Sequence, residues 1–144
     1  MSRITEIPDG VYDLVIYTDG AFSNSRNRGG YAFVVKQGDK YTHRFLRGVD
    51  DTTNQRTEML AVISVFRYLL NKKSIPKTVV VTDSMYVVGT TCNNWKINAN
   101  KDLWAIYMYL YEQVKEHVDF MHVRGHQGIE GNELCDTLAV IAGG

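Results

Sequence analysis

Four carboxylates stand where a negative charge is costly or oddly placed. Asp19 closes the apolar run Val15-Ile16-Tyr17-Thr18 and precedes Gly20. Asp83 closes a second run, Val79-Val80-Val81-Thr82, and precedes Ser84. Glu58 falls on the apolar side of a long helical pattern, in line with Val62, Val65 and Leu69. Asp136 follows Gly131-Asn132-Glu133-Leu134-Cys135, near the start of the last helical pattern. Buried carboxylates must be paired or neutralised, and a divalent cation does this for several at once. Oxygen-only ligation favours magnesium or manganese over zinc. Two such ions about 3.5–4 Å apart suit in-line attack on a phosphodiester, one activating water and one steadying the leaving oxygen.

Each acid alone has a plainer reading. Asp19-Gly20 is an ordinary turn pair, and Asp83-Ser84 an ordinary helix cap. Glu58 could reach water from an exposed helix end. Asp136 lies off the stripe of Leu134, Leu138 and Ile141, as a solvated residue would. Together they say more: two strand ends and two helix starts can converge at one edge of a sheet, and carboxylates so placed repel unless a cation lies between them.

The rest of the chain bounds what that site can serve. Its 144 residues suit one domain, 1–144, with a single sizeable core. Net charge is zero, so nucleic-acid binding must rest on a local basic patch. Cys92 and Cys135 match no zinc spacing and make no disulfide framework, which fits a reduced, cytoplasmic setting. The first residues lack the apolar stretch of a signal peptide. The longest apolar run, Ala105 to Tyr111, is seven residues, far short of a membrane span. No repeat or linker divides the chain.

Patterning supplies the elements that must position the acids. Strands are expected at Val11–Thr18, Tyr31–Lys36 and Tyr41–Gly48, consecutive and antiparallel, with Asn24–Gly30 as a loop. A helix follows from Thr53 to Asn71, with Thr52 and Gln55 as a capping box. Thr78–Thr82 reads as a central strand covered on both faces. Further helices are expected at Ser84–Thr91, Asn100–Glu116 and Glu130–Ala142, with a last strand at Val118–Val123. The order implies an α/β fold, a five-stranded mixed sheet with helices on both faces.

Several stretches, in order, carry a resemblance. They are Tyr17-Thr18-Asp19-Gly20-Ala21, Gly29-Gly30-Tyr31, Thr52-Thr53-Asn54-Gln55-Arg56-Thr57-Glu58 and Thr82-Asp83-Ser84-Met85-Tyr86-Val87. Val123-Arg124-Gly125-His126-Gln127-Gly128 and Asn132-Glu133-Leu134-Cys135-Asp136 complete the set. Across nearly the whole chain they resemble the type 1 ribonuclease H family. The resemblance implies the ribonuclease H-like fold and endonucleolytic cleavage of the RNA strand of an RNA–DNA hybrid, leaving 5′-phosphate ends. It implies two magnesium ions (Mg2+), for which Mn2+ can substitute. By it, Asp19 bridges both ions, Glu58 and Asp83 hold one and Asp136 the other. His126 would assist proton transfer or product release, for which an ordinary histidine pKa near 6.5 is suited. Asn54 and Gln55 would touch the minor groove, where 2′-hydroxyls mark RNA. Thr53 and Arg56 would hold a DNA-strand phosphate, Gly20 would admit a 2′-hydroxyl, and Ser84 would anchor the RNA strand.

The chain also departs from the family. Met85 stands where many members have glutamine, and Phe22 to Arg28 lacks the usual Gly-Pro loop. A basic helical protrusion is reduced to Asn93–Lys101, where Trp95 could stack on the DNA strand or bury in the core. A hybrid-binding module ahead of the domain is not expected. The expected partner is the hybrid itself, with no membrane and a monomeric protein; a replication or reverse-transcription partner is left open. The alternative is a hybrid-binding module of the same fold, weakly active, that needs a larger assembly.

Overall fold

The computed structural model describes residues 3–125 and 127–144. His126 therefore lies outside the described residues. The elements are β1 (Arg3–Ile4), β2 (Leu14–Ser23), β3 (Arg28–Gln37), β4 (Lys40–Asp50), α1 (Asn54–Leu70), β5 (Thr78–Thr82), α2 (Met85–Cys92), α3 (Lys101–Val114), β6 (Val118–His122) and α4 (Glu130–Gly143). They form a mixed α/β fold around one sheet, ordered β1-β6-β5-β2-β3-β4. The β2-β3-β4 meander is antiparallel, and β5, β6 and β1 add in parallel.

The sheet has six strands, not the expected five. The extra strand is Arg3–Ile4, held beside Phe120 and Met121. Two residues pairing at an edge leave no period-two signature to read. β2, β3 and β4 run longer than patterning suggests, whereas β5 matches its expected span and β6 ends at His122. β2 continues past Thr18 to Ser23 because β3 keeps pairing with it, as far as Ser23 opposite Arg28. Gly29 and Gly30 thus belong to β3 and not to the preceding loop.

Alternation along the strands divides the core. Ile16, Phe33, Val35, Val80 and Phe120 face α1, α2 and α3. Tyr17, Ala32, Val34, Val79 and Val81 face α4 through Cys135 and Ala139. β5 is buried at every residue, as a strand covered on both faces must be. α4 meets the sheet most closely through Gly131, Asn132, Cys135 and Ala139; of the anticipated stripe, Leu134 and Leu138 pack at the margin of this cluster and Ile141 is exposed. Small residues win there because the helix backbone lies almost on the sheet. A Cβ on Gly30 would strike the Ala139 carbonyl and the Gly143 amide. No helix among the described residues is long and apolar enough to cross a membrane.

Candidate active site

The parallel β2–β5 ladder explains how Asp19 and Asp83 meet. Tyr17 pairs with Val81, and each acid lies two residues further along its own strand direction. Asp19 is inside β2, beside Ala32 of β3, and does not end the strand. Asp83 lies just beyond β5, before α2.

α1 delivers the third acid. Its N-cap is Thr53, not Thr52: the Thr53 hydroxyl accepts the Arg56 amide at 3.2 Å. This sets the first turn over Gly20, where a Cβ would lie 2.7 Å from the Glu58 nitrogen. Only glycine permits so close a crossing. Glu58 is thereby buried, as its place on the apolar stripe requires. The Gly20 amide donates to Asp19 Oδ1 at 2.9 Å and to Glu58 Oε1 at 2.6 Å, tying the two acids to one backbone group.

Asp19, Glu58 and Asp83 each offer an oxygen, and these oxygens lie within 4.8 Å of one another. Asp136, from the second turn of α4, lines the same cleft of about 420 Å³. One shared donor cannot offset the crowding. Burial, then the charge of Asp83, then a hydrogen-bonding contact and the charge of Asp136 push the Asp19 pKa from 3.8 to about 8. Burial and then the charges of Asp19 and Asp83 push Glu58 well above the carboxylate range. Two acids so displaced are poised to exchange protons for a cation. An all-oxygen donor set of this kind fits a hard divalent metal.

The expected substrate contacts divide. Gly20, Asn54, Gln55 and Ser84 line the cleft with the acids. Ser84 also caps α2, accepting the Val87 amide at 3.2 Å. Met85 lines the cleft too, presenting a thioether where an amide was the more usual group. Thr53 is exposed at the head of α1. Arg56 is not free: its guanidinium forks onto both oxygens of Asp102 at 3.0 Å and also reaches Asn100 Oδ1. Trp95 is half exposed, its ring lying over Gly89. It is therefore not a core residue.

Two neighbours escaped the sequence reading. Asn100 is not in α3 and forms no side-chain cap; it adopts a left-handed conformation, φ 55°. From there its amide donates to Tyr86 at 3.1 Å and to Gln55 at 3.4 Å. The Tyr86 hydroxyl also accepts Trp104 Nε1 at 2.8 Å and stands in the cleft wall. Asparagine before a helical pattern reads as a cap, so nothing local marked this bridge between α1, α2 and α3.

Residues 12–143 match the family model for RNase H. The chain belongs to the RNase H family. A ribonuclease H of Trichodesmium erythraeum is 37% identical over 145 residues, covering 90% of this chain and 88% of the relative. Ribonuclease HI of Synechocystis sp. is 34% identical over 143 residues, covering 90% and 86%. Among solved structures, LC9-RNase H1, described as a type 1 RNase H with the type 2 active-site motif, superposes with TM-score 0.76 at 28% identity, covering 96% of this chain and 74% of that one. LC11-RNase H1, solved in complex with an RNA/DNA hybrid, gives TM-score 0.78 at 21% identity over 90% of this chain and 96% of that one, a likeness of fold. RNase H enzymes depend on metal, and the acidic cluster is the feature of this chain that answers that need.

Proposed function

We propose that this protein is an endonuclease that hydrolyses the RNA strand of RNA–DNA hybrids with two magnesium ions, for which manganese can substitute. The observation that carries the reading is the trio Asp19, Glu58 and Asp83, with oxygens within 4.8 Å and too few donors to balance them. Asp19 stands between Asp83 and Asp136 and is the candidate bridge; Glu58 and Asp83 would hold one ion and Asp136 the other. When bound, the cations supply the positive charge that offsets the acids and the phosphodiester and that acidifies an attacking water.

The chain's own groups do the rest. The Gly20 amide fixes the orientation of Asp19 and Glu58. Asn54 and Gln55 extend from the first turn of α1 at the cleft, where amides can pair with a 2′-hydroxyl and the minor-groove edge. Ser84 stands opposite them for the RNA strand, and Trp95 presents an open ring face for the DNA strand. Thr53 and Arg56 would take a DNA phosphate, Arg56 by exchanging Asp102 for it. Departure of O3′ after water attack leaves a 5′-phosphate. We further propose a monomer acting in the cytoplasm.

The test is incubation with matched RNA–DNA hybrid, double-stranded RNA and double-stranded DNA, in magnesium and in EDTA. Cleavage confined to the hybrid's RNA strand and abolished by EDTA is expected. Equal cutting of double-stranded DNA would overturn the reading, and hybrid binding without cleavage would favour a binding module.

His126, four residues before Glu130 in the sequence, would serve proton handling or product release. His126→Ala is expected to lower turnover by about 10²-fold or less, the usual scale of a single proton-transfer group. Single-turnover rates should fall less than multiple-turnover rates if release is the step it serves. A loss as complete as that from removing Asp19 would make it essential to the chemistry instead.

A further inference from the structure

A second cavity, about 500 Å³, is larger than the acidic cleft and lies apart from it, between the α1 face of β3–β4 and the exposed side of α3. Its floor is Leu60 and Ile63 of α1, and its walls are Phe33, Phe45 and Ile106. Ile106 is 46% exposed, so the apolar lining continues to the rim.

The charged groups at this cavity are of one sign. Arg47 and Arg67 line it, and no aspartate or glutamate does. Neither guanidinium belongs to an ion pair among the described residues. Both act on the Tyr31 phenol, drawing its pKa down against the rise that burial imposes. Lys72 adds a further cation nearby, 4.8 Å above the Tyr68 ring. In a chain of zero net charge, two unpaired guanidiniums beside an apolar hollow form a local attraction for an anion with an apolar body.

The aromatic walls distinguish what that body is. Phe33 and Phe45 stack on each other at 5.3 Å, and His43 stacks on Tyr68 at 4.8 Å. Their faces are spent on one another, which leaves no slot for a nucleobase but a continuous surface for an aliphatic or aromatic side chain. The strand beside them supplies the other half of a peptide site. β4 is the last strand of the sheet, eleven residues long, with its outer edge unpaired among the described residues. His43, Phe45 and Arg47 alternate along it and face the cavity.

We propose that this groove docks an extended acidic peptide of a partner protein, added along the outer edge of β4. A bulky apolar side chain would sit against Phe45, Leu60 and Ile106, and flanking carboxylates would pair with Arg47 and Arg67. Such edge addition takes its affinity from main-chain hydrogen bonds and its specificity from alternate side-chain pockets. The site is separate from the nuclease chemistry and stands whether or not the hybrid is the substrate.

The test uses a short fluorescein-labelled peptide with a central Leu-Phe pair between aspartates, titrated with the full chain and followed by anisotropy. Saturable binding that weakens with salt is expected. Arg47→Glu combined with Arg67→Glu should weaken it about tenfold or more, a loss of roughly 1.4 kcal/mol. Replacing the peptide's aspartates by asparagines should weaken it similarly. Hybrid cleavage and melting temperature should stay unchanged in the double variant, since neither arginine touches the acidic cleft. Val140→Glu, on exposed α4 surface, should leave peptide binding intact. Absence of saturable binding, or equal binding by the double variant, would overturn the proposal. So would displacement of the peptide by a single-stranded oligonucleotide of equal affinity, which would assign the groove to nucleic acid.

Discussion

Asp19→Asn is expected to cut hybrid cleavage by roughly 10³-fold or more, because it removes the charge placed to share both cations and each tenfold costs about 1.4 kcal/mol of barrier. The change is nearly isosteric, and the Asp19 Oδ1 contact with the Gly20 amide can be kept by the asparagine oxygen. Folding and hybrid binding should therefore survive. Glu58→Gln and Asp83→Asn should behave alike. Near-normal turnover by Asp19→Asn would remove Asp19 from the mechanism.

The same variant should be more stable than the parent when both are stripped of metal. Asp19 titrates at about 8 in the folded chain against 3.8 ordinarily. A carboxyl raised in this way keeps its proton in the folded state where the unfolded chain has released it. The folded state is then penalised as pH rises: the cost is absent below about 4, grows through the interval, and is complete above about 8. Melting temperature in EDTA should thus fall from pH 5 to pH 8 in the parent and fall less in Asp19→Asn. Magnesium should restore the parent at pH 8, as a ligand bound only by the folded state must. An identical pH slope for both proteins would show that Asp19 is not strained by its neighbours.

Much of this site was legible because its chemistry contradicts its surroundings. Glu58 on an apolar stripe and two aspartates closing apolar runs are visible without coordinates, and the structure brings their oxygens together. The central strand Thr78–Thr82 was legible to the residue, since continuous burial writes a continuous apolar run. Other features depend on distant partners. β2 runs on through Asp19 and Gly20 because β3 pairs with it there, and no local preference for strand says so. Arg56 reads as a free cation until Asp102, on another helix, is seen to hold it. The α4 stripe was legible only in part: Leu134 and Leu138 pack at the margin of the core, while Ile141 is exposed. The fully buried side of α4 is its small side, set by how near the helix backbone lies to Gly30 and Gly48.

That close approach makes Gly30→Val the most damaging change expected outside the acids. A Cβ at residue 30 would press on the Ala139 carbonyl, the Gly143 amide and, at 2.9 Å, the Ala142 carbonyl carbon. These are backbone atoms of a regular helix, so no side-chain rotation relieves the clash; either β3 bends or α4 lifts. Overpacking of this kind costs roughly 3 kcal/mol or more when the neighbour cannot yield. Lifting α4 also withdraws Asp136 from the cleft and uncovers Cys135, whose thiol donates to the carbonyls of Tyr17 and Ala32. Gly30→Val should therefore lower the urea midpoint, make the Cys135 thiol reactive toward a maleimide, and reduce cleavage beyond what the unfolded fraction explains. The contrast is Gly38→Ala, at the β3–β4 turn. There a Cβ meets nothing within 4 Å and only the positive φ of 60° opposes it. It should leave Cys135 protected and turnover intact. If Gly30→Val kept its urea midpoint and a protected thiol, the apposition of α4 to β3 would have to be looser than the small-residue face implies.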